Sequence, residues 1–224
     1  MKTIQMVDLK SQYLNIKEEI DARVLEVIAS SAFINGYAVK DFQAHLESYL
    51  GVKHVIPCGN GTDALQVSMM ALGLKPGDEV ITSPFTFIAT AEVVALLGIT
   101  PVFVDVEPNT FNLDAKKIES AITPRTKAIV PVHLFGQCCD METILNIAKK
   151  HHLFVIEDAC QALGSEYTFS DGTVKKAGTM GDLGCTSFFP SKNLGCYGDG
   201  GAVFTQSDDL DHVLRGIVNH GMFT

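Results

Sequence analysis

The chain has 224 residues, with 17 Lys and Arg against 26 Asp and Glu, for a formal net charge of −9. Hydrophobic residues make up 46% and charged residues 19%, which excludes a disordered chain, while 19 Gly and 8 Pro exclude a collagen-like or low-complexity one. No basic run is present, so nucleic-acid binding is not expected, and the longest stretch free of Asp, Glu, Lys and Arg, from Val27 to Val39, falls far short of the ~20 apolar residues a bilayer span needs.

Along the chain, short β-rich runs alternate with helical periods. Tyr13, Ile16, Ile20, Val24 and Ile28 repeat at helical spacing. Phe42, Leu46, Tyr49 and Leu50 do so again, and Gly51 is a helix stop. A strand is expected over 54–57, a helix over 62–72, a strand over 80–82 and a helix over 87–97 that Gly98 ends. Residues 102–104 read as a strand, 114–121 as a helix and 128–130 as a strand. A further helix starts near Asp140, with Met141, Ile144, Leu145 and Ala148 on one face. The strand over 153–156 closes in Glu157 and Asp158. Residues 165–179 are polar, and Asp171-Gly172 marks an exposed hairpin or loop. The runs 185–188 and 202–205 lie close enough for a returning, hairpin-like connection.

Alternating strands and helices imply a mostly parallel sheet covered on both faces, with ligands outside the carboxyl ends of its strands. A folded chain of this size is expected to expose ~10,000 Å² of the ~35,000 Å² of its unfolded state, enough burial to hold a core without disulfides. The cysteines (58, 138, 139, 160, 185 and 196) form no C-x-x-C pair, so no metal site is expected and reduced thiols in a cytoplasmic protein are. The opening MKTIQMVDLK has no apolar core of a signal peptide.

Three places can carry chemistry. Gly59-Asn60-Gly61-Thr62-Asp63-Ala64 lies between a strand and a helix, where unpaired N–H groups and the helix dipole suit a phosphate. The same residues also read as a tight turn with Thr62 or Asp63 capping the helix. The hexapeptide satisfies the dinucleotide fingerprint as well, which keeps a nicotinamide or flavin oxidoreductase as an alternative. That class wants an acid at the end of the next strand. Asp78 and Glu79 stand at its beginning, and its end reads Thr82-Ser83-Pro84-Phe85. The second place is Glu157-Asp158, because a carboxylate at a buried strand end needs a cation such as a protonated ring nitrogen. Gln161 follows within reach. The third is Lys192, after Ser187 and an apolar strand and before a glycine-rich stretch that lets a bulky ligand lie on backbone. A lysine desolvated there attacks a carbonyl as the neutral amine. A phosphate cup, a lysine, a carboxylate and an aromatic ring together suit pyridoxal 5′-phosphate (PLP). Phe87 or Phe85 can supply the ring, and Phe85 is read as core.

Five collinear tracts carry a family resemblance: GNGTDAL (59–65), PGDEVITSPFTFIATAE (76–92), ITPRTKAIVPVHLFGQ (122–137), VIEDACQALG (155–164) and TSFFPSKNLGCYGDGGAVFT (186–205). On these the chain resembles the DegT/DnrJ/EryC1/StrS sugar aminotransferases of fold-type I. The resemblance implies the three-layer α/β large domain of PLP-dependent, aspartate aminotransferase-like transferases over 1–224, with an N-terminal helical segment over about 1–50. It implies that Lys192 bonds the cofactor covalently and shuttles a proton, and that Asp158 keeps the pyridinium protonated. Gln161 would bond the 3-hydroxyl and Phe87 would stack on the ring. Gly61, Thr62, Ser187 and the backbone of Asp63 would hold the phosphate, with the Asp63 carboxylate turned away from it.

The reaction implied is transfer of an amino group from L-glutamate to a keto group of a nucleotide-linked sugar. Tracts 59–65 and 196–201 look most like enzymes of UDP-2-acetamido-3-keto sugars, the glucuronate form included, that serve lipopolysaccharide or surface-glycan synthesis. Relatives that dehydrate instead carry His at the lysine position. Family members run past Asn219-His220-Gly221 into a substrate loop and a small C-terminal domain, and a second subunit of a homodimer lends an asparagine to the site. The chain here stops at Thr224, so those parts are expected to be missing. An incomplete sequence, an excised domain and a non-catalytic remnant of the fold all remain open at this point.

Overall fold

The structure, a computed structural model, describes Ile4 and residues 6–223. Parts of the opening decapeptide, and Thr224, lie outside the described residues. Two helices lead: α1 (Leu9–Ser30) and α2 (Tyr37–Leu50). Gly51 ends α2 at φ +68°, a left-handed cap that glycine adopts without a Cβ clash.

The β-α units follow: β1 (His54–Cys58), α3 (Gly61–Ala71), β2 (Glu79–Thr82), α4 (Ala89–Leu96), β3 (Thr100–Phe103), α5 (Ala115–Ala121), β4 (Thr126–Val130), α6 (Met141–His151) and β5 (Phe154–Asp158). The polar segment forms the expected hairpin of β6 (Glu166–Thr168) and β7 (Val174–Lys176), which pair antiparallel around Gly172. Last come β8 (Leu183–Ser187), β9 (Gly201–Thr205) and α7 (Asp208–Val218). The sequence reading stopped short of α7. Its signals are a Ser207 cap on the Leu210 N–H, acids in the first turn, and Leu210, Leu214 and Val218 in helical register.

Seven strands form one sheet in the order β1-β9-β8-β5-β4-β2-β3. The pairings β2–β3, β2–β4, β4–β5 and β5–β8 are parallel, whereas β9 runs antiparallel to both β8 and β1. The expected mostly parallel sheet with one returning strand is therefore present. Strand alternation divides the core between its faces. Val80, Ala128, Val130 and Ile156 pack with α3 and α4, while Ile81, Ile129 and Val155 pack with α5 and α6. Each Ile or Leu fully buried there contributes about 1.5–3 kcal/mol. A smaller cluster seats Leu46 and Leu50 of α2 on Val55, Phe188 and Phe204.

The exposed surface is 12,518 Å², well above the expectation for a compact monomer of this mass. The excess has a visible source. No residue of α1 is buried, and Leu14, Ile16, Val24, Leu25 and Ile28 all face solvent. Among the described residues no helix is long and apolar enough to cross a membrane, and all six cysteines are free thiols.

Candidate active site

The carboxyl ends of β5 and β8 and the N-terminus of α3 surround a cavity of about 510 Å³. Asn60 forms the lip of α3. Its side chain accepts from the Asp63 N–H at 2.8 Å and its carbonyl accepts from the Ala64 N–H at 3.0 Å. The cap is thus Asn60, in place of the Thr62 or Asp63 read from sequence, because Asn60 holds the extended backbone a cap requires. The N–H groups of Gly61 and Thr62 have no partner among the described residues. Both residues line the cavity.

Gly61 is fixed by close approach. A Cβ there would stand 2.7 Å from Ser187 Cβ and 3.0 Å from Cys160 Sγ. The helix terminus, the end of β8 and the turn after β5 therefore meet only because that side chain is missing. Ser187 Oγ accepts from the Phe189 N–H at 3.2 Å, which leaves its own proton to point elsewhere. Asp63 lies outside the cavity lining, with its N–H committed to Asn60 and its carboxylate over Gly59, where a Cβ would meet Oδ2 at 2.5 Å.

Asp158 is buried at the cavity floor. Its Oδ2 accepts from Thr90 Oγ1 at 2.8 Å and its Oδ1 from the Cys160 N–H at 3.2 Å. No cation pairs with it among the described residues. Cys160 follows it into the cavity wall, and burial, with Asp158 nearby, pushes that thiol well above its usual range, so it is held protonated. Glu157 points the other way. It is wholly buried and accepts from His133 Nε2 at 2.8 Å, Gly178 N–H at 2.8 Å, and the Met180 and Gly181 N–H groups at 2.6 Å. His133 Nδ1 accepts from the Cys139 N–H, so its one ring proton sits on Nε2 and goes to Glu157.

Gln161 is oriented by the Phe135 N–H, which donates to its Oε1 at 2.8 Å. Its amide N–H₂ is the remaining polar end on the cavity side. Lys192 is half-buried in the connection from β8 to β9, again lining the cavity, and its ammonium takes part in no ion pair among the described residues. That connection is tied down. Phe188 N–H donates to Gly200 O, Cys196 N–H to Phe188 O, and Asn193 Nδ2 to Leu163 O. A Cβ on Gly195 would stand 2.3 Å from Pro190 O, so this turn too closes on a glycine.

Phe87 lines the cavity and is 70% exposed. Phe85 is not core as expected. It is 48% exposed and packs against Phe111 and Phe135 at ring distances of 5.6 and 6.5 Å. The chain leaves β2 at the carboxyl edge of the sheet, and the exposed rings of Phe85, Phe111 and Phe135 form a rim there. The expected helix from Phe87 starts only at Ala89, with Ile88 as its N-terminal flank.

The structure therefore brings Gly61, Thr62, Phe87, Asp158, Gln161, Ser187 and Lys192 to one cavity and leaves Asp63 beside it. Sequence reasoning missed Thr86, Thr90, Ser191 and Asp199. Thr86 lies before α4 and Thr90 in its first turn, so no helical pattern in the sequence pairs the two hydroxyls. The dinucleotide alternative finds no support here: β2 ends in Thr82 and Ser83, and Glu79, at its other end, is engaged with Arg125 and Thr123.

An unpaired amine, an uncompensated buried carboxylate and a helix N-terminus with free N–H groups, at the carboxyl edge of a mixed α/β sheet, define a site for an anionic carbonyl cofactor with a cationic ring. The chain belongs to the DegT/DnrJ/EryC1/StrS aminotransferase family, whose sequence profile matches residues 14–224. A UDP-2-acetamido-2-deoxy-3-oxo-D-glucuronate aminotransferase of Pseudomonas aeruginosa is 51% identical over 218 residues, covering 97% of this chain and 59% of that protein. The crystal structure of a DegT DnrJ EryC1 StrS aminotransferase from Brucella abortus superposes with a TM-score of 0.93 at 44% identity, covering 98% of this chain and 59% of that one. The structure of ntda from Bacillus subtilis with bound cofactor PMP gives a TM-score of 0.87 at 36% identity, over 96% of this chain and 48% of that one. The chain thus spans less than two thirds of the length of these relatives.

Proposed function

We propose that this chain carries the cofactor-binding part of a PLP-dependent aminotransferase that moves an amino group from L-glutamate to a keto group of a nucleotide-linked sugar. The observation that carries the reading is the meeting of Lys192, Asp158 and the open N-terminus of α3 in one cavity. The residues fit the cofactor on three counts. Among the described residues, Gly61 and Thr62 offer free N–H groups to a phosphate, Asp158 meets no cation, and Lys192 meets no acid.

When bound, PLP supplies a carbon that bonds an amine and a cationic ring that draws off the electron pair freed at the donor carbon. The chain supplies the rest. Gly61, Thr62 and Ser187 would hold the phosphate at the helix dipole. The Asp158 carboxylate would accept the ring N–H and so keep that proton in place. Gln161 would donate its amide to the ring hydroxyl, and Phe87 would cover the ring. Lys192 Nζ would anchor the aldehyde and, once displaced by the donor's amine, would take the proton from the donor carbon and deliver it on.

The substrate class is a UDP-2-acetamido-3-keto-hexuronate or a related sugar for lipopolysaccharide or surface-glycan synthesis. The similarity to the Pseudomonas aeruginosa enzyme supports it. The enzyme works in the cytoplasm, a placement supported by its free thiols. It works as a homodimer with shared sites, a reading supported by the uncovered apolar residues of α1 and the open aromatic rim.

The test is to add PLP to the purified chain, record the absorption near the visible edge, reduce with borohydride and map the modified peptide. Modification of Lys192 is expected. A folded chain that binds PLP at some other lysine, or at none, ends the proposal.

A further inference from the structure

The first turn of α4 sits against the acid at the cavity floor. Thr86 lines the cavity, and Thr90, one turn on, is wholly buried beneath it. Thr90 Oγ1 lies 2.8 Å from Asp158 Oδ2 and 3.0 Å from Thr86 Oγ1. An ionised carboxylate only accepts hydrogen bonds, so the single Thr90 proton goes to Asp158. The Thr90 oxygen then accepts from Thr86, whose own proton is committed inward. The other oxygen of Asp158 takes a backbone N–H, that of Cys160. Of these two bonds, the one from Thr90 comes from a side chain and the one from Cys160 from the backbone. The Thr90 N–H also donates to Phe87 O, so the entry to α4 holds both the acid and the residue of the exposed ring.

We propose that Thr90 is a positioning residue for Asp158, and that the Thr86–Thr90–Asp158 chain makes Thr86 an acceptor-only group at the cavity wall. This rests on the reading of Asp158 as partner of the cofactor's ring nitrogen. Thr90 touches neither ring nor substrate. It holds the carboxylate in one rotation. Thr86, with lone pairs alone facing the cavity, suits an N–H or O–H of a ligand and repels a phosphate. The anion is thereby confined to the side of Gly61, Thr62 and Ser187.

The test compares two aldehydes: PLP and its 1-deaza analogue, in which C–H replaces the ring nitrogen. Each is titrated by absorbance into the 224-residue chain and into Thr90→Val, Thr90→Ser and Thr86→Val, with a thermal melt of each protein to check folding. The native chain prefers PLP. Thr90→Val loses about tenfold in affinity for PLP and little for the analogue, so its preference collapses. Thr90→Ser keeps the hydroxyl and stays within about threefold of the native chain, and Thr86→Val loses less than Thr90→Val in the same direction. Equal losses for both aldehydes in Thr90→Val, an unchanged preference, or no rescue by Thr90→Ser overturns the proposal, since packing damage alone does not distinguish the two ligands. Should Thr90→Val fail to fold, Thr86→Val decides: a reduced preference supports the chain of hydroxyls and an unchanged one overturns it. A native chain with no preference between the aldehydes removes the reading of Asp158, and this inference with it, before any substitution is made.

Discussion

Glu157 and Asp158 are neighbours on β5, and the strand sends them to opposite sides. Behind the sheet, Glu157 accepts four N–H donors and closes a network that joins β5, the exit of β4 and the turn before β8. On the cavity side, Asp158 accepts two donors and meets no cation among the described residues. The difference separates two uses of a buried acid. One is saturated by the fold and serves stability. The other is left open and is completed by what enters the cavity.

The contrast breaks if removing the two acids has similar consequences. Glu157→Ala leaves four donors, three of them on buried residues, without an acceptor and is expected to cost about 3–5 kcal/mol of unfolding free energy, read by urea titration. A loss under about 1 kcal/mol would mean the network is not closed as described. Gly61→Ala forces a Cβ against Ser187 and Cys160 and is expected to cost about 1–3 kcal/mol, together with most of the affinity for PLP. Asp158→Asn is expected to stay within about 1 kcal/mol of the native chain in the same urea titration, because the amide oxygen still accepts from the Cys160 N–H and the Thr90 hydroxyl can accept from the new N–H₂, while its preference for PLP over the deaza analogue vanishes. Lys192→Ala moves stability by no more than about 0.5 kcal/mol, and borohydride then fixes no cofactor on the chain.

A charge pair far from the site supplies the control. Asp208 is held below its usual 3.8, first by the hydrogen bond with His54 and then by Lys53. An acid depressed in the folded state stabilises above its unfolded value, and that contribution fades as pH falls through the lower folded value. Asp208→Asn is therefore expected to flatten the stability profile below about pH 3.8 and to leave PLP binding unchanged. A change in PLP binding would show that the clasp between β1 and α7 reaches the cavity.

Much of the fold was legible because its signals are local. Continuous apolar runs such as Val80-Ile81 and Ala128-Ile129-Val130 announce strands buried on both faces, and they are. Gly51 and the Asp171-Gly172 turn were legible because backbone conformation leaves few residue choices there. Lys192 stood out by its setting between an apolar strand and glycines, and Asp158 by closing a buried strand. Phe85 was misplaced because an aromatic after a strand looks the same in a core and at an uncovered rim. The cap at Asn60 was missed because Asn60, Thr62 and Asp63 all have capping chemistry, and only backbone angles choose among them.

The sequence by itself determined the alternation of strands and helices, the carboxyl-edge location of the chemistry and the types of group gathered there. Periodicity, caps and turn residues act over a few positions, and the chain carries them on its face. The tertiary structure alone decided that the Asp63 N–H is committed to Asn60, that Glu157 is closed off by four donors behind the sheet, and that a threonine 68 residues away holds Asp158 in place. Those outcomes depend on strand order and on the close approach permitted at Gly61, and no local pattern encodes a distance across a sheet.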